Sequence, residues 1–151
     1  MPPPAWCLPQ AVLDQAAEAI VFADREGRVQ LWNRGAEILF GYARAEAIGR
    51  SLDTLIIPEP YRRAHNEAFA RAMASGQLRA EAQVRTTRAV DKFGGRLYLD
   101  ISFSLVKDPA GTVMGSVAIG RDVTGAWLEK QAQRQRAAEA ARLPGDGAGP
   151  A

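Results

Sequence analysis

Three runs of alternating apolar and polar residues between Glu81 and Val123 constrain this chain more than any other feature. AQVRTTRAV, RLYLDISFSLV and TVMGSVAIGRDV are separated by DKFGG and KDPAG, both rich in turn formers. A period of two sends successive side chains to opposite sides of a pleated strand. The pattern therefore predicts three long antiparallel strands joined by tight turns. In the central run Leu97, Leu99, Ile101, Phe103 and Leu105 share one side, and Tyr98, Asp100, Ser102 and Ser104 the other. A sheet with one apolar face must cover it, so the residues before Glu81 have to supply the cover.

Those residues read as short helices around a hairpin. Val12, Leu13, Ala16, Ala17 and Ile20 recur at three- and four-residue steps, which predicts an amphipathic cap helix over 10–20. AIVFAD and RVQLWN form two strands about a turn from Asp24 to Gly27. Asn33 caps a helix through NRGAEILF that Gly41 ends, and AEAIG repeats the pattern in miniature. After the loop RSLDTLIIPEP the spacing predicts a long helix from Glu59 to Ala74, with Pro60 in its first turn and Gly76 just beyond its end. Its inner stripe is Tyr61, Ala64, His65, Ala68, Phe69, Ala72 and Met73, so the one histidine faces inward. Thr124 caps a terminal helix over 125–142 that has few large apolar residues after Leu128. Residues 1–9 and 143–151, rich in proline and glycine, read as irregular or disordered tails. The 151 residues thus make one α+β domain: a five-stranded antiparallel sheet covered by short helices, with an N-terminal cap helix and a C-terminal exit helix.

Composition removes several functions. One cysteine, Cys7, allows no internal disulfide, and with one histidine it cannot build a zinc site of soft ligands. Cys7 reads as a small, semi-buried residue of the N-terminal cap. A lone histidine without a second base, nucleophile or phosphate loop offers no enzymatic constellation. Nineteen basic residues against seventeen acidic ones, scattered except for Arg134 and Arg136, do not make a nucleic-acid surface. No apolar run approaches the roughly 18 residues of a membrane span, and MPPPAWCLPQ lacks the basic start and apolar core of a signal peptide. A cytoplasmic location is the expectation.

LWNRGAEILFGY at Leu31 to Tyr42, Ile48–Gly49, and IGRDVT at Ile119 to Thr124 resemble the signature segments of PAS sensor domains, over about residues 11–124. The resemblance implies a cupped sheet whose inner face and covering helices enclose a pocket for haem, flavin, a small metabolite or nothing. Light-sensing relatives carry a reactive cysteine after the second short helix, where this chain has IGRSLDTLIIP. LIIPEPYRRAHNEAFARAMASG resembles the long-helix region of haem-binding PAS sensors, in some of which a histidine of this helix ligates iron. The resemblance therefore implies His65 as proximal ligand of a b-type haem, no CxxCH being present for covalent attachment. The residues alone leave a second reading, in which His65 is a hydrogen-bonded packing residue.

In the haem reading Tyr61, Phe69 and Met73 line the helical side of the pocket. Val90, Leu99, Ile101, Phe103, Val117 and Ile119 form the opposite wall. Some relatives place a methionine ligand where this chain has Val90, so one iron position stays open for a diatomic gas or water. Met114 reads as rim or core, and Met73 as packing. Arg85 and Arg88 either approach haem propionates or are solvated. Asp122 is expected to pair with a basic group and Thr124 to cap the exit helix, so that a shift of the last strand turns that helix. The expected function is a haem-based gas or redox sensor signalling through its terminal helices to a partner or output domain. The alternatives are a cofactor-free interaction module, its pocket filled by Phe103, Leu105 and Met73, and a flavin-binding redox sensor. Val12, Leu13, Trp127 and Leu128 cannot be buried within one copy, which predicts a homodimer.

Overall fold

The computed structural model describes residues 6–143. Along the chain run α1 (Leu8–Gln15), β1 (Ala19–Asp24), β2 (Val29–Trp32), α2 (Arg34–Phe40), α3 (Arg44–Ala47), α4 (Leu52–Ile56), α5 (Glu59–Ser75), β3 (Arg85–Val90), β4 (Arg96–Lys107), β5 (Val113–Asp122) and α6 (Thr124–Arg142). The five strands form one sheet in the order β2-β1-β5-β4-β3, every neighbouring pair antiparallel. The last strand to be made sits at the centre, so the hairpin β1–β2 and the meander β3–β5 meet along β5. Val21 opposes Ala118, and Ala118 opposes Phe103; residues paired in this way share a sheet face. The inner face so defined carries Val21, Ala23, Leu99, Ile101 and Ala118, all buried.

Asn33 is the hub of the N-terminal half. Its Oδ1 accepts from Ala36 N at 3.0 Å, capping α2 as its position predicts, and also from Ile20 N at 2.8 Å. Its Nδ2 donates to Leu13 O at 2.8 Å and Glu18 O at 3.0 Å. One buried amide thereby joins α1, β1 and α2. Below it Trp32 lies 5.3 Å from Phe40 between ring centroids, and its indole N–H donates to Tyr42 O at 3.0 Å. A methyl group on Gly35 would come within 2.3 Å of Glu18 O, so only glycine lets α2 approach the chain this closely.

Several boundaries differ from the sequence reading. The N-terminal helix covers Leu8–Gln15, not 10–20: Ala16 turns extended, and Ile20 is drawn into β1 opposite Ile119. Leu8 and Pro9 therefore belong to a helix rather than a tail, while residues 1–5 and 144–151 lie outside the described residues. LDTLI, read as loop, forms α4, which buries Leu52, Leu55 and Ile56. A one-turn helix is too short to display a period. The first long strand begins at Arg85 rather than Glu81, because Ala82 takes φ 59°, outside any strand conformation, with its N–H on Phe103 O. The five-residue apolar face of β4 splits: Leu99 and Ile101 are buried, Leu105 is half-buried, and Phe103 is 36% exposed. No helix among the described residues is long and apolar enough to cross a membrane.

Candidate functional site

Phe103 is exposed because α5 stands away from the sheet. Of the inner stripe read on that helix only Ala72 and Met73 are buried; His65 and Phe69 are half-buried, and Tyr61, Ala64 and Ala68 are open to solvent. The gap follows from residue size. Alanines at 64, 68 and 72 on α5 and the small residues Ser116 and Ala118 on β5 line the space between them. The result is two adjoining chambers of about 480 and 660 Å³, which share His65, Thr86, Thr87, Ile101 and Phe103. Each lies within the roughly 300–1,000 Å³ usual for ligand sites. The smaller chamber is closed by Phe69, Met73, Leu78 and Leu105, the larger by Leu52, Ile56, Tyr61, Leu99 and Ala118. No carboxylate among the described residues lines either one, whereas Arg79 and Arg85 border the smaller and Arg88 the larger. Among the described residues none of these three arginines makes a salt bridge.

His65 sits where the chambers meet. Its ring stacks on Phe69 at 6.3 Å, and its Nδ1 is buried with no hydrogen-bond partner among the described residues. Burial pushes its pKa below the ordinary imidazole value, against the opposing pull of the Asn66 amide and the Asp53 carboxylate. The ring is thus held neutral at pH 7, the form in which imidazole ligates metal. Asp53 accepts from Asn66 Nδ2 at 2.8 Å and from Ser51 Oγ; these bonds hold its carboxyl below the usual range. Arg62 Nε ties the start of α5 to Asp53 O and Ile57 O at 3.1 and 3.0 Å.

Tyr61, His65, Phe69, Met73, Leu99, Ile101 and Phe103 therefore come together around the cavity as the sequence suggests. Val90, Val117 and Ile119 do not. Val117 and Ile119 pair with Ser104 and Ser102 and occupy the outer sheet face, Ile119 at 38% exposure. In β5 the inward positions are the small residues Ser116, Ala118 and Gly120, so choosing the large apolar residues selects the wrong face. Val90 ends β3 beside Pro58, Tyr61 and Leu97, outside both chambers. Thr86, Thr87 and Leu78 are lining residues the sequence reading passed over; the edge position of β3 could have flagged the threonines.

The remaining expectations also resolve. Met114 is exposed and lines neither chamber. Cys7 is exposed at the start of α1, not semi-buried. Asp122 pairs with no base among the described residues; its Oδ1 accepts from the Thr124 N–H and hydroxyl. Thr124 is the first residue of α6 rather than its cap, and its Oγ1 accepts from Tyr98 N at 2.9 Å.

The PAS fold family model matches residues 7–123. Among curated relatives, the oxygen sensor protein DosP of Escherichia coli is 30% identical over 123 residues, 82% of this chain and 15% of that protein. The sensor protein FixL of Bradyrhizobium diazoefficiens is 34% identical over 62 residues, 41% of this chain and 12% of that protein. The chain thus spans about an eighth of the length of these relatives. An RNA-binding Light-Oxygen-Voltage receptor superposes with a TM-score of 0.65 at 25% identity, covering 91% of this chain and 41% of that one. The PAS domain of a Colwellia psychrerythraea protein superposes with a TM-score of 0.63 at 24% identity, covering 76% and 93%. The cupped sheet, the cavity beneath α5 and the family match over most of the sequence agree: this chain belongs to the PAS family.

Proposed function

We propose that the domain is a non-catalytic, cytoplasmic haem-based sensor of a diatomic gas or of redox state. The observation that carries this reading is His65: the one imidazole of the chain, pushed toward its neutral form by burial and lining both chambers of an apolar cavity that no carboxylate among the described residues lines. A b-type haem asks for such a ligand, an apolar slot and cations near its propionates, and these residues fit it. The group would supply the iron that takes the gas or changes oxidation state. His65 would hold it from α5, Ile101 and Phe103 would exclude water on the sheet side, and Arg88 would meet an acidic substituent at the larger chamber, with Arg79 and Arg85 bordering the smaller one. Sequence likeness to an oxygen sensor over 82% of the chain supports the same reading.

Absorbance tests it. Protein reconstituted with haemin should show a Soret band at about 400–430 nm, and His65→Ala should retain haem at least tenfold more weakly while keeping its fold. A variant with the wild-type spectrum and affinity would refute the ligation. Likeness to a Light-Oxygen-Voltage receptor favours one further reading, a non-covalent flavin with bands near ~370 and ~450 nm. Adduct chemistry has no support, since no cysteine lines either chamber.

The output is proposed to pass through a homodimer to an attached or partner domain. Val12 and Leu128 are 60% and 55% exposed, on helices that bury nothing of their own. Light scattering should give twice the monomer mass.

A further inference from the structure

Arg88 touches both the cavity and the sheet's outer face. It lines the larger chamber, and its Nη1 donates to Tyr61 Oη on α5 at 3.1 Å. The same guanidinium lies over the ring of Tyr98 on the neighbouring strand, 5.8 Å from its centroid. Tyr98 in turn stacks on Trp127 of α6, with centroids 4.9 Å apart and planes 20° from parallel. Around that stack the backbone of Tyr98 receives the start of α6: its N–H donates to Thr124 Oγ1 and its carbonyl accepts from Val123 N at 2.9 Å. Tyr61, Arg88, Tyr98 and Trp127 are therefore in unbroken contact from the cavity helix to the exit helix. The chain of contacts crosses β3 and β4 and bypasses β5.

We propose that Arg88 couples the cavity to α6: an anionic group entering the larger chamber draws the guanidinium off Tyr98 and loosens the stack that seats Trp127. The two contacts that hold Arg88 in place favour such exchange. A phenol oxygen and an aromatic face are weak partners for a guanidinium, and no carboxylate competes at this position. A ligand carboxylate makes the stronger, charge-assisted bond. Tyr61, left without its donor, then frees the first turn of α5. The displacement at α6 is the second of two discrete arrangements, as coupling requires.

The coupling can be tested without any ligand. Hydrogen exchange of the α6 amides from Trp127 to Gln131 should be roughly two- to five-fold faster in Arg88→Ala, the scale of an exposed cation–π contact. Arg88→Gln keeps a donor for Tyr61 but not the charge over Tyr98, and should show the same acceleration. Tyr98→Ala, which removes the seat itself, should show at least as much. An Arg88→Ala protein with wild-type α6 exchange, beside a Tyr98→Ala protein that exchanges faster, would overturn the proposal. So would an acceleration spread equally over β1 and β2, which signals general destabilisation. The direction of the ligand effect rests on the haem reading, with haemin as the anionic probe. Saturating haemin should speed these amides in the wild type and add nothing in Arg88→Ala; bound haemin that leaves them unchanged would overturn it. Should haemin fail to bind, the sensor reading falls, while the ligand-free comparison still decides the coupling.

Discussion

The two ends of the sheet are built on opposite principles. At the β1–β2 end Val29, Trp32, Asn33 and Phe40 are all within 1% of complete burial, and every polar group of Asn33 is satisfied. At the β3 end the strand is exposed except for Ala89 and Val90, and the helix above it leaves Phe103 a third open. Large side chains and a four-bonded amide make the first end rigid. Alanines, threonines and arginines make the second hollow. The contrast teaches that in this fold the scaffold and the receptor are separated by side-chain volume, not by secondary structure, since both ends are sheet covered by helix.

Single substitutions should reveal the asymmetry. Trp32→Ala removes a wholly buried ring and should cost about 3–5 kcal/mol, read as the shift in a urea midpoint. Phe103→Ala, from the cavity wall, should cost only about 1 kcal/mol, because a third of that side chain is already in water. Equal losses would show that the β3 end is packed as tightly as the other. Next in size is Asn33→Ala, which orphans the buried N–H groups of Ile20 and Ala36 and unpins Leu13 and Glu18. At about 1 kcal/mol or more for each lost bond, the loss should reach roughly 2–4 kcal/mol, and exchange of the α1 amides should accelerate with it.

The smallest effect is expected at His65. Replacing it with alanine sacrifices its stacking on Phe69 but also removes a buried nitrogen with no partner, so stability should change by less than about 1 kcal/mol at pH 7. Its signature lies in pH dependence. Burial lowers the folded-state pKa below the unfolded value of about 6.5, so in that window the unfolded chain binds more protons. Wild-type stability should therefore fall as pH drops below about 6.5, until the folded pKa is reached, and rise again on return. His65→Ala should be flat over the same window. The contribution of Asp53, whose folded pKa is lowered, is lost only at more acidic pH, below its unfolded value of 3.8, so the two do not overlap. Parallel profiles for the two proteins would mean that His65 is not desolvated.

The strands, the hairpin, the Asn33 cap and the long helix were legible because each repeats a period or carries a turn residue. Gly41 at φ 80° and Gly76 at φ 68° close their helices where the sequence places them. His65 was legible as an inward residue of α5 for the same reason. What the pattern hid was the cavity. An alternating strand states which residues share a face but not which face is inside, and in β5 the small residues Ser116 and Ala118 face the cavity while Val117 and Ile119 face outward. Nor does a helical stripe reveal how far the helix stands from its neighbour: Ala64 and Ala68 complete an apolar face and are nevertheless exposed. The contacts of Arg88 and of Trp127 meet on Tyr98, across separate elements, and left no local trace in the sequence.

How α5 is mounted has one more consequence. At 17 residues it is about 25 Å long. Arg62 fastens its beginning to Asp53 O and Ile57 O, and Arg25, from the β1–β2 turn, reaches Val113 O at 2.8 Å and Met73 O at 3.5 Å near its end. Between these fastenings lie His65 and Ala68, with a void beneath them. Helices ordinarily fray from their tips, but this one behaves as a beam pinned at both supports and unloaded at midspan. A molecule that widens or narrows the space below can bow it but cannot slide it. Such bending should appear as faster amide exchange around His65 than at either support, the reverse of the usual profile along a surface helix.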